Sequence, residues 1–284
     1  VAEKAESNVP GRHIPLVVGH RGNSGFAPEN TAAAFAQAAV AGANMIETDV
    51  RLTADGELFL FHDETGVRTT NVAQVYPLRA EDPITSFTAG ELRRLDAGAH
   101  FGPEYAGEPI VFLSELPAAL GFELGVNLEI KSPVSSPGVE QELALMLAGN
   151  RDWAQLLETQ QLAVSSFDPA SVSRLADLHL PAWQLVSTDP DAVLLARTDP
   201  RVRGVVADHR CLTAQGAAAV RAAELGLWVY TVNSDADTAA VLALGVDAVI
   251  TDFPGNLLAP AVAGGPADAG RDTSEEPPAV PVVR

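Results

Sequence analysis

The sequence predicts an α/β fold and, within that class, a TIM (β/α)8 barrel. Its 284 residues suit one such barrel, which typically needs ~250. Short apolar runs alternate with helical stretches along most of the chain, the pattern of parallel strands joined by crossover helices. The doubly wound alternative, in its dinucleotide-binding form, needs a glycine-rich phosphate turn after the first strand. Gly22-x-x-Gly25 is only a fragment of that turn.

The elements follow in order. Residues 1–15 are polar and without period, and read as an N-terminal arm at the closed end of the barrel. Residues 16–18 form a first strand leading into Gly19-His20-Arg21. Asn30 or Thr31 caps an alanine-rich helix that runs to about Ala41. A second strand carries Glu47 and Asp49, and Asp55-Gly56 turns the chain into a hairpin strand ending in His62-Asp63. From 64 to about 110 the alternation lapses, apart from a short helical stretch over 89–95. A loop-rich insertion of this length, after the second strand region, is the kind that forms a lid or substrate wall.

Regularity then returns. Helix 114–120, capped by Ser114, precedes strand 125–131 and helices 138–147 and 153–158. Strand 162–167 is followed by helix 169–178, with Asp168 as cap and Pro169 in the first turn. Strand 182–186, helix 191–197, strand 205–208 and helix 213–225 come next, the last closed by Gly226. Strand 227–232, helix 236–244, strand 248–251 and helix 256–262 complete a barrel domain spanning 16–263. With the hairpin strand set aside, eight strands remain. Residues 264–284 are rich in Gly, Pro, Ala and acids and read as a disordered tail.

Composition narrows the function. The net charge of −19 makes nucleic acid and anionic membranes poor partners for the chain as a whole. A phosphate site must then be a local positive pocket, and there are only two lysines, Lys4 and Lys131, to help build one. The single cysteine, Cys211, excludes an intrachain disulfide and leans towards a reducing, cytoplasmic setting. A chain starting at Val1 rather than Met is also consistent with a removed leader and secretion. No apolar run approaches the ~20 residues of a membrane span, so stable membrane insertion is not expected.

The chemistry concentrates between residues 16 and 63. Glu47 and Asp49 lie two apart on a strand, so both carboxylates share one face. A bare Glu-x-Asp also fits a solvated face, but Met45-Ile46 and Val50 mark this strand as buried, and buried acids need partners. A hard divalent cation such as Mg²⁺ or Ca²⁺ suits such oxygens. His20 and His62, each at a strand end, can serve as acid and base. Arg21 can hold an anion through paired hydrogen bonds, and His209, after a later strand, could approach the same mouth.

At these residues the chain resembles the glycerophosphodiester phosphodiesterases. His20-Arg21-Gly22, Pro28-Glu29-Asn30-Thr31, Glu47-x-Asp49 and His62-Asp63 match that family in order and spacing. Glu129-x-Lys131 and Tyr230-Thr231-Val232-Asn233 resemble two further motifs, the second usually beginning with Trp. Thr65-Gly66-Val67-Arg68 departs from the family, which more often has Leu-Asp before the Arg.

The resemblance implies a TIM barrel that hydrolyses glycerophosphodiesters to an alcohol and sn-glycerol 3-phosphate with one divalent cation. It implies Glu129 as third metal ligand beside Glu47 and Asp49, Lys131 and Arg21 on the phosphate, and Tyr230 as an aromatic wall. It further implies that the substrate's own glycerol hydroxyl attacks first, giving a cyclic phosphate that water opens. A lysophospholipase D acting on acylated substrates is the nearest rival, and a barrel that only binds is the more distant one.

Overall fold

The computed structural model of the protein describes residues 14–120 and 124–258. The tail read over 264–284, most of the arm, and the end of the last helix lie outside the described residues.

Eight parallel strands close on themselves as the sequence predicts. They are β1 (Leu16–His20), β2 (Met45–Leu52), β4 (Gly125–Ile130), β5 (Leu162–Ser166), β6 (Ala182–Val186), β7 (Gly204–Asp208), β8 (Gly226–Tyr230) and β9 (Ala248–Thr251). The ring closes because β1 pairs with both β2 and β9. The ninth strand, β3 (Leu58–Leu60), lies antiparallel on the outer part of β2, with Val50 opposite Leu60.

Alternation along each strand builds two layers. Val18, Met45, Ala163, Leu185, Val206, Trp228, Ala248 and Ile250 pack together inside the barrel. Trp183 stacks on Trp228 there, with ring centroids 4.3 Å apart. The opposite faces of the strands meet the helices, as Ile46, Val126, Leu128 and Val164 do around Trp153. β3 is buried on both faces for a related reason. Leu58 and Leu60 join the main core, while Phe59 and Phe61 join Ile84, Phe87, Leu92 and Phe112 from the segment that follows.

Helix starts follow local chemistry. Thr31 accepts from the Ala34 N–H, Asp168 from Ala170, Asp191 from Leu194, and Thr213 from Gly216. Several boundaries differ from expectation, among them the helix expected over 213–225, which ends at Ala222 with Ala223 as its cap, so that Gly226 opens β8 instead of closing the helix. The helix expected from Ser114 begins at Leu116, because Glu115 folds its carboxylate back to accept from the Phe112 N–H at 3.3 Å. The helix expected over 89–95 stops at Leu92, and Leu95 is buried in the core under the insertion instead. The helix expected over 191–197 spans only Ala192–Leu195. The last helix starts at Pro254, whose fixed φ suits a first turn.

The turn that aims β1 at the barrel mouth depends on one glycine. Gly22 has φ +90°, and an added Cβ would lie 2.6 Å from the carbonyl carbon of Ala34. Gly22→Ala should therefore lower stability by on the order of 2 kcal/mol. Urea unfolding checks this, and a change within about 0.5 kcal/mol would show that the turn relaxes freely.

Candidate active site

Strand register alone assembles the centre of the site. His20 lies opposite Glu47 across the β1–β2 pair, and Asp49 opposite Glu129 across the β2–β4 pair. Carboxylate oxygens of Glu47, Asp49 and Glu129 all fall within 4.8 Å of one another, and all three residues are buried.

Such a trio must be neutralised, and it carries the marks of that need. Burial, with Asp49 and Glu129 beside it, pushes Glu47 well above the usual carboxylate range. Burial, then the nearby Asp49, pushes Glu129 up to about 7. Burial would raise Asp49 as well, but Arg21, Lys131, His62 and the Asn30 amide outweigh it and hold it at about 2. Asn30 donates to Asp49 Oδ2 at 2.8 Å and accepts from Thr48 Oγ1 at 2.7 Å. Lys131 Nζ stands 2.7 Å from Glu129 Oε1 and 3.7 Å from Asp49 Oδ1.

Glu47 uses only one oxygen, accepting the Arg21 backbone N–H on Oε2 at 3.1 Å. Its Oε1 is buried with no protein partner. An orphaned carboxylate oxygen facing two more carboxylates is a donor set for a hard cation, so the residues present fit one.

Each histidine is braced by an acid. His20 Nδ1 lies 2.6 Å from Asp252 Oδ1, and its Nε2 lies 4.0 Å from Glu47 Oε2. Asp252 also accepts from Ser24 Oγ at 3.0 Å and Asn233 Nδ2 at 2.6 Å. Burial would raise Asp252, but the His20, Asn233 and Ser24 contacts hold it below its ordinary value. His62 Nδ1 lies 2.7 Å from Asp63 Oδ1. Burial would raise Asp63 too, but Arg68 and His62 hold it at about 2. Ionised carboxylates only accept, so each imidazole holds a proton on Nδ1 and leaves Nε2 for exchange with the site. Burial, with Arg21 and Lys131 adding to it, shifts His62 towards its neutral form.

Arg21 and Lys131 stand at the rim of the acids. Arg21 donates to Glu29 at 2.8 Å, and its Nε lies 3.2 Å from Asp49. Arg68, from the insertion, grips both oxygens of Glu29 at 2.7 Å and also Asp63, so it joins the Pro28-Glu29-Asn30 loop to the His62 brace. Phe167 packs edge-on against Tyr230 at 6.0 Å, and Lys131 Nζ lies 6.0 Å from the Phe167 ring. The Tyr230 hydroxyl donates to the Val186 carbonyl at 2.9 Å. His209 does not join the acids, since its Nδ1 faces Asp237 at 4.0 Å.

Residues to which the sequence assigns no role complete the site. Asp252 and Asn233 stand at strand ends far along the chain, and nothing local links them to His20. Arg68 is an ordinary surface arginine until the fold brings Glu29 and Asp63 to it.

Two carboxylate-braced imidazoles and a buried acidic trio that could hold a cation thus stand together at the C-terminal mouth of the barrel. The model of the Glycerophosphoryl diester phosphodiesterase family matches residues 20–256. A glycerophosphodiester phosphodiesterase of Caldanaerobacter subterraneus subsp. tengcongensis is 33% identical over 250 residues, covering 86% of this chain and 96% of its own. YhdW of Bacillus subtilis (strain 168) is 32% identical over 243 residues, covering 84% and 94%. An Oleispira antarctica phosphodiesterase, solved with the product sn-glycerol-3-phosphate, superposes with TM-score 0.72 at 29% identity, covering 86% and 96%. The chain belongs to the glycerophosphoryl diester phosphodiesterase family and is a hydrolytic enzyme of that class.

The raised carboxyls fix the sign of a pH effect. Glu129 titrates at about 7 in the folded chain against an ordinary 4.5. Between those values the folded state binds more protons than the unfolded one, so this group's contribution to stability falls as pH rises. Glu129→Gln is neutral throughout and escapes that loss. In chelator, the stability of Glu129→Gln relative to the parent should improve by on the order of 2 kcal/mol between about pH 4.5 and pH 8. Guanidinium unfolding at both pH values measures it, and an unchanged difference would contradict the raised pKa.

Proposed function

We propose that the enzyme hydrolyses glycerophosphodiesters to an alcohol and sn-glycerol 3-phosphate, with His20 and His62 as its acid–base pair and one divalent cation, Mg²⁺ or Ca²⁺. The observation that carries this reading is the pair of carboxylate-braced imidazoles flanking the buried trio Glu47, Asp49 and Glu129. The Oleispira relative, solved with sn-glycerol-3-phosphate, supports the same product here.

Glu47, Asp49 and Glu129 would hold the cation, which when bound supplies positive charge against the phosphate and the charge that grows on it. Arg21 and Lys131 already lean on the same acids and can turn to phosphate oxygens, adding to that neutralisation. One imidazole takes the proton of the substrate's glycerol hydroxyl through its free Nε2 as that oxygen attacks phosphorus. The other, entering the step as the imidazolium, gives its Nε2 proton to the departing alkoxide, so the alcohol leaves neutral and a cyclic phosphate remains. The roles then reverse, water opens the ring, and both histidines return to their first state. Asp252 and Asp63 keep the tautomers fixed throughout. Tyr230 and Phe167 form an aromatic wall for the bound alcohol or glycerol, and the segment over 64–110 shields the mouth on the other side.

The direct test is release of sn-glycerol 3-phosphate from glycerophosphocholine by the purified chain, with and without EDTA. Release should stop in EDTA and return with Mg²⁺ or Ca²⁺, while full activity after exhaustive chelation would remove the cation from the scheme. His20→Ala and His62→Ala should each reduce turnover by roughly 10²-fold or more with cation affinity kept. Parental turnover in either would sink its assignment.

A further inference from the structure

Among the described residues, Arg51 is the most deeply buried charge that the mechanism leaves unused. Its side chain is 1% exposed. It follows Glu47 and Asp49 on the same face of β2, yet no buried acid answers it. Its Nε donates to the Phe61 carbonyl at 3.1 Å and its Nη2 to the His62 carbonyl at 2.6 Å. The remaining partner is Glu64, whose Oε1 accepts from Nη2 at 3.0 Å and whose side chain is 55% exposed.

A buried guanidinium is costly, and this one turns Nε and Nη2 to two consecutive carbonyls just beyond a strand end while Nη1 stays without a partner. The ladder between β2 and β3 stops there. Its last rung runs from the Phe61 N–H to the Asp49 carbonyl at 2.9 Å. The backbone of His62 lies past that rung, and Arg51 extends the hold of β2 over it. Glu64 carries the tie further, accepting from Ser132 Oγ at 2.6 Å. Ser132 follows Lys131 directly and sits at φ +41°, a conformation that non-glycine residues adopt only when held.

We propose that Arg51, anchored from outside by Glu64, is a positioning residue that fixes His62 against the acid-bearing strand and steadies the Lys131 turn. The inference rests on the reading of His62 as an acid–base group. Arg51 touches no reacting atom. It sets where the imidazole stands, and a displacement of about 1 Å at such a group costs on the order of 10²-fold in rate.

The test compares Arg51→Lys, Glu64→Ala and His62→Ala with the parent, on glycerophosphocholine with saturating Mg²⁺. Lysine keeps the charge but cannot span both carbonyls and Glu64 in one plane. Arg51→Lys should lower kcat by roughly 10- to 100-fold, with KM and calorimetric Mg²⁺ affinity changed by less than about 3-fold. In histidine-labelled protein, the His62 ring resonance, assigned by its loss in His62→Ala, should shift or broaden while that of His20 stays in place.

A general loss of packing would disturb both rings and the cation affinity together, and that outcome overturns the proposal. Parental kcat in Arg51→Lys overturns it too. If Arg51→Lys does not fold, half-exposed Glu64→Ala decides instead, with kcat expected to fall by about 3- to 10-fold in the same pattern and parental kcat counting against the clamp. Parental turnover in His62→Ala would be a different failure, striking the acid–base reading itself.

Discussion

The site is organised by the cost of placing three carboxyl groups on adjacent buried strands. Register brings Asp49 level with Glu129, and alternation brings Glu47 to the same face as Asp49. Water is excluded from all three, so their repulsion is barely screened. The chain answers with Arg21, Lys131 and the Asn30 amide, which hold Asp49 at about 2, while burial and the neighbouring carboxylates push Glu47 and Glu129 upward. Three such carboxylates within 4.8 Å of one another could hold a hard divalent cation. The net charge of −19 sharpens the point, because attraction for a phosphate diester must then come from this local cluster rather than from the surface.

Barrel closure supplies the second requirement, fixed imidazoles. His20 at the end of the first strand meets Asp252 just past the last, 232 residues away, because β1 pairs with β9. His62 finds its brace in the next residue, Asp63, and Arg68 ties that brace to Glu29 beside Arg21. The two histidines are therefore held by different means. One depends on the ring being closed, the other on a hairpin end pinned to β2 and on the loop that follows it.

Much of this was legible in the sequence because the deciding signals are local. Two acids spaced Glu-x-Asp on an apolar strand share a face by geometry alone. The histidines follow apolar runs, and Thr31, Asp168 and Thr213 announce helix starts. What escaped depends on distance or on backbone partners. No local pattern pairs His20 with Asp252. Arg51 could be put on the acid face, but its partners are the carbonyls of Phe61 and His62, which every sequence has and none advertises. Ser114 looked like a cap, yet Glu115 reaches back to the Phe112 N–H and the helix starts one turn position later. The insertion read as loop because its core forms from scattered residues, Phe59, Ile84, Phe87 and Phe112, without a helical or strand period.

The central claim is that the acidic trio, with two of its carboxyls raised by burial, takes up one divalent cation. Titration calorimetry with Mg²⁺ near pH 7, repeated in two buffers of different ionisation enthalpy, counts the protons released on binding. The account predicts binding at one site with net proton release, because the raised carboxyls must deprotonate to take the cation. Binding with no proton release, or no binding at all, would contradict it.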